Sequence, residues 1–351
     1  DYLMFRVAVQ MMSHHPDDER ARDFVLSALV GADEAPVRLA ALRSLEHNAD
    51  DWSAQIADRV ADDHWTVQVE AARISAENGL GESIGEMIAQ MSCSPPRVQE
   101  ACVGALQVMT KQSIGMFPKR WRNWWKINAK YYGPTARPAD GPICLNARYP
   151  EFYDLEIRSN RVVFLIDMSD SMNQWAVERI RPDGTIIESD QFTRVQLVRN
   201  HLIRAIKDLE DGVTFNVVAF GGAVKPWKPE MSVADEKSRA QAIKWIKKLK
   251  PDGKTYMFGA LHWVFGNMGF GDGTSCPMSA DTFVLLSDGA PLDAWPKGRG
   301  PDARMAVLEA VNRWNEKRLV VIHTVALKGR ATAMDFLKVL AETHNGHMVV
   351  R

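Results

Sequence analysis

Cysteine is scarce in this chain. There are four in 351 residues, Cys93, Cys102, Cys144 and Cys276, and none sits in a Cys-x-x-Cys pair. That excludes a disulfide framework and a thiolate zinc cluster, and leaves buried or free thiols. No run of eighteen apolar residues is present, so no membrane-spanning helix is expected. A G-x-x-x-x-G-K-[ST] loop is missing. His262, His323, His344 and His347 are scattered over helices and strands rather than paired with a serine, so the chain is expected not to be an enzyme. Basic residues are few in the first third: residues 1–110 carry 8 Lys/Arg against 18 Asp/Glu, the wrong sign for a phosphate-binding face. A secretory leader is also missing. The chain opens on Asp1 within a helical pattern, so a processed leader or earlier repeats are expected to precede it.

What is present begins with a repeat. Val7, Val37, Val67 and Val98 recur at intervals of 30, 30 and 31 residues. Pro36-Val37-Arg38-Leu39-Ala40-Ala41, Val67-Gln68-Val69-Glu70-Ala71-Ala72 and Arg97-Val98-Gln99-Glu100-Ala101 each follow a polar or proline turn and set small residues at helical spacing. Residues 51–61 and 82–91 read as partner helices. Such pairs bury their faces only by stacking on neighbours, which predicts a helical solenoid.

Residues 111–160 change character. They carry 9 Lys/Arg and 4 Asp/Glu, and Trp121, Trp124 and Trp125 fall at i, i+3 and i+4 between cations. That spacing is one helix face, and Pro118 suits the first turn. The face is expected to close the end of the repeats; stacking on single-stranded nucleic acid is the sharper alternative. Pro134, Pro138, Gly141 and Pro142 break regular structure, giving a linker over 133–154.

The remaining residues alternate buried strands with amphipathic helices, the pattern of a doubly wound α/β sheet. The apolar run Val162–Ile166 leads into Asp167-Met168-Ser169-Asp170-Ser171. Alternate positions on an extended chain point the same way, so Asp167, Ser169 and Ser171 converge at the end of a strand, where open α/β sheets bind ligands. Thr255 follows the turn Asp252-Gly253-Lys254, and Asp288 closes a second apolar run, Phe283–Ser287, ahead of Gly289. All these donors are hard oxygens, which suit Mg²⁺, Mn²⁺ or Ca²⁺.

D-x-S-x-S, then a threonine, then an aspartate in a D-G turn resembles the metal-ion-dependent adhesion site (MIDAS) of von Willebrand factor A domains. The repeats resemble HEAT repeats of the short bacterial type. With the tryptophan-rich connector, the order resembles bacterial proteins that join HEAT repeats to such a domain. The resemblance implies helical repeats over 1–132 and a doubly wound, Rossmann-like A domain over 155–351, with six strands, one antiparallel at the edge. It implies that Ser169, Ser171 and Thr255 ligate Mg²⁺ directly, with Asp167 and Asp288 acting mostly through water. The open position then takes an Asp or Glu of a protein partner, so the expected role is adhesion or scaffolding. Asp170 stands between the two serines, where glycine is common in the family. Residues 173–192, with a turn at Arg181-Pro182-Asp183-Gly184, form an insertion expected to overhang the metal. Asp170, Arg181 and Asp183 are the candidate partner contacts, and the repeats offer a second protein surface. An extracytoplasmic location is favoured by the architecture. The rival is a Ro-like helical-repeat protein that binds small RNA through residues 121–132.

Overall fold

The computed structural model describes residues 15, 18–92, 94–132, 139, 149–180, 186–268, 279–292, 302–327 and 331–351; side chains are described throughout these except at 177–191 and 302. Val7, Cys93, Cys144, Cys276, Arg181, Asp183 and the prolines at 134, 138 and 142 lie outside the described residues. The chain divides into two compact units, Asp1–Ala147 and Arg148–Arg351.

The first unit is helical. Its described helices are α1 (Glu19–Gly31), α2 (Ala35–Ser44), α3 (Ser53–Arg59), α4 (Trp65–Asn78), α5 (Ser83–Gln90), α6 (Pro96–Thr110) and α7 (Pro118–Asn128). α2, α4 and α6 pack side by side, as do α3, α5 and α7, and α1/α2, α3/α4 and α5/α6 are further packed pairs. Of the repeating valines, Val67 and Val98 are fully buried, while Val37 is half-buried. The next position reaches back to the preceding loop in two of the three segments. Arg38 Nη1 donates to the Ala32 and Asp33 carbonyls at 2.9 Å each, and Gln99 Nε2 donates to the Ser94 carbonyl at 2.7 Å. A side chain that satisfies carbonyls ahead of the helix ties the entry of those two segments to the loop before them.

Two carboxylates are buried among these helices. Asp62 is bonded by Arg38 Nη2 at 2.7 Å and by the His64 N–H at 2.9 Å. Burial works against the Asp62 charge, yet those donors outweigh it and its pKa lies below the usual carboxylate value. Glu70, whose side chain is fully buried, accepts from Arg43 Nε at 2.8 Å and Arg73 Nη2 at 3.1 Å. On α7, Trp121 and Trp125 are buried and Trp124 is half-buried, stacked against Trp125 and edge-on to Tyr132. Two of the three indoles therefore have no face to offer a nucleobase. Trp121 Nε1 donates to the Gly115 carbonyl at 2.8 Å.

The second unit opens with a two-residue hairpin, β1 (Glu151–Phe152) and β2 (Leu155–Glu156). Its turn residues, Tyr153 and Asp154, both have positive φ, the signature of the primed hairpin turn. Phe152 is fully buried in the core of this unit, and Arg351 donates to the Tyr153 carbonyl and pairs with Asp154. The main sheet comprises β3 (Arg161–Asp167), β6 (Thr214–Phe220), β7 (Val224–Pro226), β8 (Ser232–Val233), β9 (Thr282–Ser287), β10 (Val321–Ala326) and β11 (Met348–Val350). Its order is β11-β10-β9-β3-β6-β7, with β8 also on β6. Among the described residues the sheet therefore has seven strands rather than six, and two are antiparallel, β7 and β8, both on β6. The short β8 follows from Pro229 and the turn after β7, too brief a segment to show a strand period in sequence.

Both faces of the sheet are covered. Val162, Phe164 and Ile166 face one core with α8 (Arg194–Asp208) and α9 (Glu236–Ile246). Val163 and Leu165 face the other with α10 (Met257–Asn267), α11 (Asp302–Trp314) and α12 (Ala331–Thr343). Burial on both sides explains why β3 reads as an unbroken apolar run. β3 is central, with β6 on one side and β9 on the other, so the chain changes direction of winding there. That places a topological switch point at the carboxyl end of β3. The insertion is an antiparallel ribbon, β4 (Trp175–Ile180) and β5 (Ile186–Thr193), which leads straight into α8.

Candidate metal centre

The carboxyl end of β3 carries Asp167, which is fully buried. Its Oδ1 accepts the Ser169 N–H at 2.8 Å, and its Oδ2 accepts the Ser287 hydroxyl at 2.5 Å. Burial pushes its pKa up to about 6, against the pull of those two hydrogen bonds. Such a carboxylate gains from a nearby cation.

Ser169 then ends the extended stretch, and residues 170–173 close a short 3-10 turn that keeps Ser171 beside it. The two hydroxyls stand 3.0 Å apart, and Ser171 Oγ donates to Asp288 Oδ1 at 2.9 Å. Asp288 arrives from the end of β9. The Gly289 N–H donates to Ser287 Oγ at 3.1 Å, which fixes the turn that aims Asp288. Thr255 is buried just ahead of α10. The Leu292 N–H donates to its carbonyl at 3.2 Å, and a Cβ placed on Gly289 would lie 3.6 Å from its hydroxyl. Thr255 therefore packs against the turn that carries Asp288.

The loops are locked to one another through their backbones. The Met168 N–H donates to the Phe220 carbonyl at 2.6 Å, the Asp252 N–H to Met168 at 2.7 Å and the Gly222 N–H to Asp252 at 2.5 Å. Gly221 stands between them: a Cβ there would lie 2.4 Å from the Asp252 carbonyl oxygen and 2.6 Å from that of Met168. Only glycine permits that approach. Asp170 is exposed but tied in, donating its N–H to Gly253 O at 2.9 Å and accepting from Gly253 N at 3.2 Å. The second carboxylate oxygen of Asp288 accepts from Arg194 Nη1 at 2.5 Å, and the Asp288 side chain is only 2% exposed. Arg194 is the first residue of α8, whose start is set by a Thr193/Gln196 capping box.

Asp167, Ser169, Ser171, Thr255 and Asp288 thus gather at one loop cluster. Arg181 and Asp183 fall outside the described residues, so only Asp170 of the three candidate partner contacts is placed. Two residues that the sequence did not single out join the cluster. Ser287 holds Asp167, and its signal is a polar residue closing an apolar strand. Arg194 holds Asp288, and its only signal is its place directly after the capping threonine.

The donor set suits a hard divalent cation. It offers hydroxyl and carboxylate oxygens and neither sulfur nor imidazole. Among the described residues no group of three or more His, Cys, Asp and Glu stands together as a metal cluster, in keeping with a set in which hydroxyls outnumber carboxylates. Beside it lies a cavity of about 610 Å³, lined by Phe220, Trp245 and Leu249 and by Lys225, Lys248 and Lys250; Met168 and Asp252 belong to both its wall and the site loops. No helix of the described residues is long and apolar enough to cross a membrane.

Residues 187–350 match the family model of the von Willebrand factor type A domain. Among curated proteins, the mouse inter alpha-trypsin inhibitor, heavy chain 4, is 24% identical over 140 residues, 39% of this chain and 13% of that protein. The chain therefore spans well under two thirds of that relative's length. A von Willebrand factor type A structure from Catenulispora acidiphila is 19% identical, covering 54% of this chain and 38% of the other, with a TM-score of 0.38. Proximal thread matrix protein 1 from mussel byssus, solved with a zinc-occupied MIDAS motif, is 17% identical over 54% of this chain and 43% of its own, with a TM-score of 0.35. The family match over 187–350, together with the doubly wound sheet, supports a von Willebrand factor type A domain in the second unit.

Proposed function

We propose that the second unit holds a divalent cation, Mg²⁺ by preference and Mn²⁺ or Ca²⁺ in its place, and uses it to capture a carboxylate of a protein partner. The observation that carries this reading is the meeting of Ser169 Oγ, Ser171 Oγ and Asp288 Oδ1 within 3.0 Å steps at the switch point of the sheet. Ser169, Ser171 and Thr255 are the direct ligands, and Asp167 and Asp288 act through water. When bound, the cation supplies Lewis acidity to an incoming oxygen. The chain's own residues do the rest. Ser287 and the Ser169 N–H orient Asp167 and favour its ionised form against burial, and the 252–253 turn keeps Asp170 fixed at the rim. Lys248 and Lys250 beside the site favour an acidic partner.

The helices of the first unit are read as a HEAT-like solenoid that presents a second protein surface, and the role as adhesion or scaffolding outside the cytoplasm. The test is calorimetric titration of Mg²⁺, Mn²⁺ and Ca²⁺ into the wild type and the Ser171→Ala and Thr255→Ala variants. The expected result is a loss of at least tenfold in affinity in each variant with the far-UV spectrum unchanged. Wild-type affinity in both variants would sink the assignment.

A further inference from the structure

Both oxygens of Asp288 are already taken by the chain itself. Ser171 donates to Oδ1 and Arg194 to Oδ2, and the Asp288 side chain is almost wholly buried while that of Arg194 is 16% exposed. The guanidinium is thus a positive charge seated on one of the two buried carboxylates of the metal centre. A charge-assisted bond of this kind is among the stronger polar contacts in a protein, and a buried carboxylate does not give it up without compensation. A cation that draws on Asp288, directly or through water, has to compete with Arg194 for it.

The anchoring of Arg194 makes the contact more than a chance surface pair. Its own N–H donates to the Gln174 carbonyl at 2.8 Å, and the Gln174 N–H donates to the Ser171 carbonyl at 3.0 Å. Trp175 pairs with Thr193 at the base of the β4–β5 ribbon. The serine loop, the foot of the ribbon and the first residue of α8 are therefore one hydrogen-bonded unit, and the Arg194 side chain reaches from it to the turn after β9.

We infer that Arg194 is the resident cation of the metal centre: it competes with the divalent ion for Asp288, lowering metal affinity, and it adds one positive charge that favours a carboxylate once the metal is in place. This rests on the metal reading above and specifies which residue sets its affinity and its preference for an acid. The two effects have opposite signs. Without the guanidinium the site is one charge more negative, so a cation is drawn in more strongly and an anion less.

The test uses the whole chain with Mn²⁺ as the probe, its free fraction read by electron paramagnetic resonance. Arg194→Gln is expected to bind Mn²⁺ about tenfold more tightly than the wild type, and Arg194→Lys to return toward the wild-type value. Acetate is then titrated into each Mn²⁺-loaded protein while water-proton relaxation is followed. The half-effect concentration should rise several-fold in Arg194→Gln. Thermal unfolding adds a control: the variant should lose stability without metal and regain it with Mn²⁺. A parallel loss of metal and acetate binding would show a merely structural role and overturn the inference, as would equal Mn²⁺ affinities in wild type and variant. Mn²⁺ binding by none of the three proteins would instead remove the metal reading, and this inference with it.

Discussion

Ser287 and Asp167 face each other across neighbouring parallel strands, and the serine hydroxyl donates to Asp167 Oδ2 at 2.5 Å. The same oxygen atom of Ser287 receives the Gly289 N–H, so one hydroxyl both restrains Asp167 and shapes the turn that bears Asp288.

Ser287→Ala removes both functions without opening a large void. The expected outcome is a tenfold or greater loss of divalent-cation affinity by calorimetry, with about 1–2 kcal/mol lost in chemical unfolding, the scale of one buried hydrogen bond left unmade. An unchanged affinity would show that Asp167 needs no support from β9.

In the first unit, Arg38 bridges Asp62 and two loop carbonyls, and Asp63 also pairs with it. Arg38→Met should cost about 3 kcal/mol in urea unfolding, because Asp62 stays buried with Arg59 as its remaining guanidinium partner. The double variant Arg38→Met/Asp62→Leu should cost less than the single one, since it leaves no buried carboxylate behind. A larger loss in the double variant would show that the charge pair itself stabilises the helices.

Two buried histidines give the second unit a pH dependence. Burial, with Arg318 adding to it, lowers the His344 pKa to about 4, and burial with His347 does the same for His323. Both are neutral in the folded chain, His344 Nδ1 lying 3.1 Å from Asn315 Nδ2 and His323 Nδ1 accepting the His347 N–H at 3.1 Å. The unfolded chain takes up protons near 6.5, so between about 6.5 and 4 it binds more protons than the folded one. Their contribution is present above 6.5 and is lost as the pH falls through that window, on the order of 3 kcal/mol for each. Thermal unfolding followed from pH 7 to 4 should show this slope, and His344→Gln should make it markedly shallower.

Much of the second unit was legible because its chemistry and its periodicity coincide. β3 and β9 are apolar runs, buried on both faces, and an aspartate closes the first and directly follows the second, so strand end and donor announce one another. Thr255 was legible from the glycine turn before it. The rest was not, for physical reasons. Arg194 is one of several arginines on an amphipathic helix, and nothing in helical spacing says which of them bends toward a strand end. β8 is two residues long, below any period. The ribbon β4–β5 mixes charged and apolar residues, so it read only as an insertion. In the first unit, the helices followed from the 30-residue spacing, whereas the pairing of Arg38 with Asp62 required knowing which loops adjoin.

The donors come from distant parts of the chain: Ser171 and Asp288 are 117 residues apart, and Asp167 and Ser287 are 120 apart. During synthesis the serine loop therefore emerges long before Asp288, and no cation can find its full set of oxygens until β9 has docked beside β3. If the centre holds a cation as proposed, its occupancy is a readout of completed assembly. Under the proposed function, a chain that misplaces β9 would be silent toward its acidic partner, which would make binding competence itself a checkpoint on folding.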